Sequence, residues 1–265
     1  MEQKPLDLSR VFTLEPHGPD TYVGETPQFA WGGLYGGHVV AQALWAATQT
    51  VREEHAVHSL HAYFILRGDL TEPVRYEVDR VRNGRSFTTR RVIARQSGGA
   101  ILTLACSFQV EEEGPETQSA VFPEDVTRPE SLKSMWDAGA ERCDLPPQPE
   151  PPRVASWMRF PLPLGDDFRL HACALAYLSD LGPMEAVTLS HPEAKGGYDE
   201  SMLGVSLDHA LWFHRQARAD EWVLVDFTGH GMIGSRGLAT GPMFDAHGTH
   251  VATVAQEGLL RRKRK

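Results

Sequence analysis

Apolar and small residues in the run GGLYGGHVVAQALWAATQTV recur at helical spacing through Val39, Val40, Ala43, Leu44, Ala47 and Val51. This pattern predicts one long, largely buried helix. Downstream the period shortens to that of strands, with β-branched and aromatic runs over residues 57–66, 74–81, 86–96 and 101–110. Turn chemistry at Arg67 and Gly68, Asn83 and Gly84, and Gly98 and Gly99 separates them. The plan is one helix followed by an antiparallel meander.

The second half repeats this order. Residues 169–180, RLHACALAYLSD, read as a helix, and strands are expected over 204–213, 222–228, 235–245 and 250–259. The segment from His61 to Arg67 resembles HALWFHR from His209 to Arg215, and SGGAILTLACSF aligns with AHGTHVATVAQE, which sets Gly99 on Gly248. An internal duplication accounts for both matches; shared strand composition is the alternative. Between the halves the chain turns acidic at Glu111, Glu112 and Glu113 and ends in PPQPEPP, which neither continues a helix nor joins a central strand. We read residues 113–153 as a linker, interrupted by a short helix over 131–142, with folded units at 1–112 and 154–265. A long helix wrapped by an antiparallel sheet is the hotdog plan. The expected fold is therefore α+β, a double hotdog whose halves join into one continuous sheet and so hide their strand edges.

Composition narrows the chemistry. A formal net charge of -9 argues against a nucleic-acid surface. No apolar run reaches the roughly 18 residues that span a bilayer, and MEQKPLDLSR lacks the apolar core of a secretion signal, so no membrane association and a cytoplasmic location are expected. Cys106, Cys143 and Cys173 are scattered and odd in number, which predicts neither disulfides nor a zinc site. His55, His58 and His61 have no companion carboxylate or cysteine cluster, so no metal is expected. The basic run RRKRK at 261–265 reads as a solvated tail or as an aid in holding a polyanionic ligand, and a carboxyl-terminal SKL tripeptide is absent. GHGMIG, from Gly229 to Gly234, spells a dinucleotide fingerprint but leads into the strand-like SRGLATGPMFD instead of a helix, so no nucleotide cofactor is expected. Neither a GxSxG elbow nor a phosphate loop occurs.

Six blocks then carry a resemblance: YGGHVVAQAL, VHSLHAYFILRGD, NGRSFTTRRV, LAYLSDL, SLDHALWFHR and VAQEGLLR. In this order and spacing they resemble the acyl-CoA thioesterase II, or TesB-type, family of double-hotdog enzymes, over nearly the whole chain. The resemblance implies hydrolysis of fatty-acyl-CoA without a cofactor and a catalytic Asp, Thr or Ser, and Gln. These fall on Asp180, Ser206 and Gln256. Ser206 stands where some members have Thr, and His38 where many have Gln. Further association into a homo-oligomer is expected, as is common among hotdog proteins.

The chemistry suits such a trio. A thioester carbonyl is already electrophilic, so hydrolysis needs a placed water, a proton acceptor and donors for the oxyanion. Asp180 ends an apolar helical run ahead of Gly182 and Pro183, where burial and the negative helix end would oppose its ionisation and make it a better base. Ser206 and Gln256 would hold the water. The plainer readings are a solvated carboxylate, a strand serine bonded to backbone and a surface glutamine. Gly234 and Gly237 are candidate oxyanion donors. Asp208 and His209 are adjacent in a strand, hence on opposite faces, and are read as structural. In the first half Ala47, His58 and Ser107 occupy the equivalent positions, so one half alone carries the chemistry. A non-catalytic acyl-CoA binding protein and a hotdog enoyl-CoA hydratase are the alternative functions.

Overall fold

The computed structural model describes residues 6–124, 126–189, 191 and 202–262; most of the basic tail lies outside them. The first half comprises β1 (Leu14–Pro16), β2 (Thr21–Gly24), α1 (Gly36–Thr48), β3 (His55–Phe64), β4 (Val74–Asn83), β5 (Phe87–Gln96) and β6 (Gly99–Val110). The second comprises β7 (Met135–Asp137), β8 (Ala140–Asp144), β9 (Gln148–Pro149), β10 (Pro152–Arg159), α2 (Phe168–Leu178), α3 (Pro183–Leu189), β11 (Met202–Ser206), β12 (Asp208–Phe213), β13 (Val223–Ile233), β14 (Arg236–Asp245) and β15 (His250–Arg262).

The strands form a fifteen-stranded antiparallel sheet whose main path runs β1-β2-β4-β5-β6-β3-β12-β15-β14-β13-β10-β8-β7. Along this path six strands lie on one side of the β3–β12 seam and seven on the other. At the seam His61 lies opposite Ala210 and Ala62 opposite His209. Because His61 and Ala62 align with His209 and Ala210, each residue faces its partner's counterpart, which is the signature of a two-fold interface between equivalent strands. Other details repeat. The strand register slips by one residue between Val57 and Ser59, and the equivalent stretch between β11 and β12 is broken at Leu207. The aligned turn glycines Gly99 and Gly248 both adopt positive φ.

Both long helices lie buried on one face of the sheet and pack against each other. All of α1 from Gly37 to Thr48 except Trp45 is buried, which its Gly and Ala content permits. Asp167 caps α2 by accepting the Arg169 N–H at 3.0 Å.

Sequence and structure part company in the connection. The helix expected over 131–142 is a β7–β8 hairpin, preceded by a 3-10 turn at Pro129–Ser131. Ala138 and Gly139 both take positive φ, the backbone of a tight two-residue turn, and this outweighs the helical propensity of the flanks. The proline run does not prevent β10 from pairing with β13 and β8, because Pro152 is its first residue, where a missing N–H costs little. Residues before β7 pack on the second half, with Phe122, Val126 and Leu132 covering Trp157 and Phe244. GHGMIG closes the β13–β14 hairpin and is followed by a strand.

Candidate active site

Asp180 stands on a short turn between two helices. Ser179 is the C-cap of α2, Leu181 N–H returns to Leu178 O at 3.0 Å, Gly182 takes a φ of 97°, and Pro183 starts α3. Contacts on either side hold this turn. Tyr177 donates its hydroxyl to the carbonyl of Ala138 in the β7–β8 turn, and Tyr35 donates to the Tyr177 carbonyl at 2.6 Å. Arg142 of β8, whose side chain is 3% exposed, grips Glu185 of α3 through two N–H groups at 2.8 and 2.7 Å. The hairpin absent from the sequence reading thus brackets the turn that presents the carboxylate.

The other half supplies a helix end. Gly37 N–H, in the first turn of α1, donates to Asp180 Oδ2 at 2.7 Å. This approach requires glycine, since a Cβ on Gly36 would lie 2.7 Å from Asp180 Oδ2 and 2.8 Å from the Phe64 ring. One on Gly37 would lie 2.5 Å from the Tyr177 carbonyl oxygen.

Ser206 and Gln256 meet from neighbouring strands. Ser206 ends β11 opposite Gly258, and Gln256 points inward from β15 and is 1% exposed. Gln256 Nε2 donates to Ser206 Oγ at 2.7 Å, and both side chains act on the Asp180 carboxylate in the direction that favours its ionised form. Behind them His209 is fully buried, with Nδ1 2.5 Å from Gln256 Oε1 and Nε2 2.7 Å from Ser179 Oγ. Asp208, on the opposite face, accepts the Glu257 N–H at 2.8 Å and pairs with His61 across the seam at 3.1 Å.

Burial dominates the electrostatics. It pushes Asp180 up to about 7, against the Gly37 N–H, Gln256 and Ser206, which pull it down. The negative end of α2 is therefore only part of the helix contribution, because the positive end of α1 faces the same carboxylate. Asp180 Oδ1 is buried and accepts no hydrogen bond among the described residues. Burial also lowers His209 to about 4, which keeps the ring neutral near pH 7.

Sequence reasoning picked out Asp180, Ser206 and Gln256, and the structure groups them. His209, which strand alternation marks as structural, and Ser179 and the α1 terminus, to which the sequence reading gave no role, lie against this group. The one available signal for His209 was strand alternation, which sets it on the core face. Gly234 and Gly237 belong to the β13–β14 hairpin, and a Cβ on Gly237 would meet Val187 of α3 at 2.3 Å, so that glycine serves close packing. At the positions equivalent to the trio, Ala47 is buried in α1, His58 is half-buried against Phe87, and Ser107 lies opposite Ser59 in β6.

Known proteins resemble this chain over nearly its whole length. Residues 26–109 match the acyl-CoA thioesterase N-terminal domain and residues 108–260 the acyl-CoA thioesterase C-terminal domain. The chain belongs to the TesB-type acyl-CoA thioesterase family, whose members are hydrolases acting on thioesters. It is 33% identical to Acyl-CoA thioesterase 2 of Haemophilus influenzae, over 96% of this chain and 97% of that one. It is 32% identical to human Acyl-coenzyme A thioesterase 8, over 97% and 89%. Among solved structures, Acyl-CoA thioesterase II TesB2 from Mycobacterium marinum superposes with a TM-score of 0.83 at 37% identity, covering 96% of this chain and 97% of its own. No helix among the described residues is long and apolar enough to cross a membrane.

Proposed function

We propose that this protein hydrolyses fatty-acyl-CoA to free fatty acid and CoA, using a water activated by Asp180, Ser206 and Gln256. The observation that carries the reading is a buried carboxylate raised to about 7, with Gly37, Ser206 and Gln256 gathered on it. Such a group is deprotonated often enough to act as a base and basic enough to take a proton from water. Asp180 Oδ1 is the atom left to receive it. The water accepts one hydrogen bond from the Ser206–Gln256 pair, keeps a lone pair for the carbonyl carbon and gives its proton to Asp180. The tetrahedral oxyanion collapses with departure of the CoA thiolate, and the proton held on Asp180 neutralises the sulfur.

N–H groups in the first turn of α1 are the donors we assign to the oxyanion, in place of Gly234 and Gly237. The turn already donates through Gly37, and the first N–H groups of a helix have no partners within it. In this reading the halves at 1–112 and 154–265 are two hotdogs meeting at the β3–β12 seam, and one site is built from both. Self-association through the exposed Tyr63 and Trp212 beside that seam belongs to the same proposal.

The test is release of free thiol from decanoyl- or palmitoyl-CoA, followed with a thiol reagent. Asp180→Asn should lower kcat by about 10²- to 10⁴-fold, the usual contribution of a general base. Absence of thiol release by the native protein would leave a binding protein or a hydratase, and full activity of the Asn variant would remove Asp180 from the mechanism.

A further inference from the structure

Among the described residues His209 hydrogen-bonds to Ser179 and Gln256, and Gln256 in turn donates to Ser206. We infer that His209, held by Ser179, is a positioning residue that sets which end of the Gln256 amide faces Ser206. This rests on the reading of Asp180, Ser206 and Gln256 as the water-activating group.

Hydrogen-bond polarity fixes the orientation of this chain of groups. Gln256 turns its carbonyl oxygen to His209 Nδ1 at 2.5 Å and its Nε2 to Ser206 Oγ at 2.7 Å. A carbonyl oxygen only accepts, so Nδ1 must carry a proton. The buried ring is neutral and has one proton to place, which leaves Nε2 as a bare acceptor. Ser179 Oγ stands 2.7 Å from Nε2, nearer than its other acceptor, the Ala176 carbonyl at 3.0 Å. The Ser179 hydroxyl therefore donates to Nε2 and holds the tautomer.

Donors then run in one direction, from Ser179 to His209, to Gln256, to Ser206. The Ser206 hydroxyl proton stays free to point at Asp180 or at the attacking water. In the opposite polarity the Gln256 amide nitrogen would face His209, and Ser206 would give its proton to Gln256. Neither side chain could then donate at the reacting centre. Ser179 also precedes Asp180 in the chain, so the turn that presents the base is tied to the same relay.

Two replacements separate orientation from packing. His209→Leu keeps an apolar volume and removes both ring nitrogens; we expect kcat to fall about 100-fold, the cost of a misplaced reacting group, with KM unchanged. His209→Asn restores a donor near the Nδ1 position and should recover activity to within about tenfold of the native enzyme. Thermal melting of each variant establishes that it is folded. Nitrogen-15 NMR of the native imidazole at pH 7 should report the proton on Nδ1, and Ser179→Ala should disturb that signature.

A folded His209→Leu enzyme with native kcat, an Asn variant as impaired as the Leu variant, or a native ring protonated on Nε2 would each overturn the inference. Asp180→Asn measured alongside keeps the two readings apart. If it is inactive while His209→Leu is normal, only the positioning role fails. If it is fully active, the base assignment fails, and the NMR tautomer still reports on the relay.

Discussion

The proposed mechanism needs Asp180 both buried and ionised, and at the scale of one residue these demands oppose each other. Its pKa in the fold, about 7, lies above the ordinary 3.8. The protonated form is therefore favoured in the native state, so this group's contribution to stability is present below about pH 4 and is lost as pH rises through 7. In the proposed mechanism the rate has the opposite sign, since Asp180 must be unprotonated to act as the base. We expect kcat/KM to rise with pH along a single limb near 7, measured by thiol release between pH 5 and 9. Asp180→Asn should melt several degrees higher than the native protein at pH 8 and at a similar temperature at pH 4, while losing activity; an unchanged melting temperature at both values would contradict this sign. Gly36 carries a separate prediction. Gly36→Ala would place a methyl group 2.7 Å from Asp180 Oδ2 and should lower kcat at least about tenfold with an unaltered circular dichroism spectrum.

Among the elements, the β7–β8 hairpin shows most clearly how support for the site is built from a distance. Arg142 also bonds Asp137 at 3.0 Å and Asp144 at 2.5 Å, so three carboxylates surround one buried guanidinium. Arg142→Met would leave those acids facing each other, and since they reach solvent the loss should fall near the low end for a broken buried pair, about 3 kcal/mol, measurable by urea unfolding. The sequence pattern made this segment a helix because Leu, Met, Ala and Glu favour one. It could not convey that Arg142 would be neutralised by Glu185, forty-three residues away, or that Ala138 would accept a left-handed conformation for the Tyr177 hydroxyl on its carbonyl. Arg90 in β5 makes the complementary point: all five of its N–H groups find neutral acceptors on Thr50, Asn83, Arg82 and Thr89. Its block could be read from sequence, but not its buried role.

In the whole molecule the two halves depend on each other. The first half contributes the α1 terminus, and the second contributes the carboxylate that accepts from it. Residues 1–112 expressed alone would expose β3 and leave Gly37 without Asp180. Because the β3–β12 register is reciprocal, the fragment should pair through β3 with a second copy, seen as a dimer by analytical ultracentrifugation, and release no thiol. A stable monomer would show that the seam is not needed to cover that edge.

Periodicity and turn chemistry were enough to locate both long helices and the central strands, although the single strand expected over 204–213 divides into β11 and β12, because these elements depend on neighbours within a turn or a pleat. Repetition of His61 to Arg67 at His209 to Arg215 pointed to two similar halves, and block resemblance singled out Asp180, Ser206 and Gln256. Three-dimensional packing decided the rest. It brought the α1 terminus onto Asp180, set Ser179 and His209 behind Gln256, and turned a proline-rich connection into strands. Each of these rests on groups remote in sequence whose hydrogen bonds and burial exist only once the halves have closed on each other, and local propensity contains no term for them.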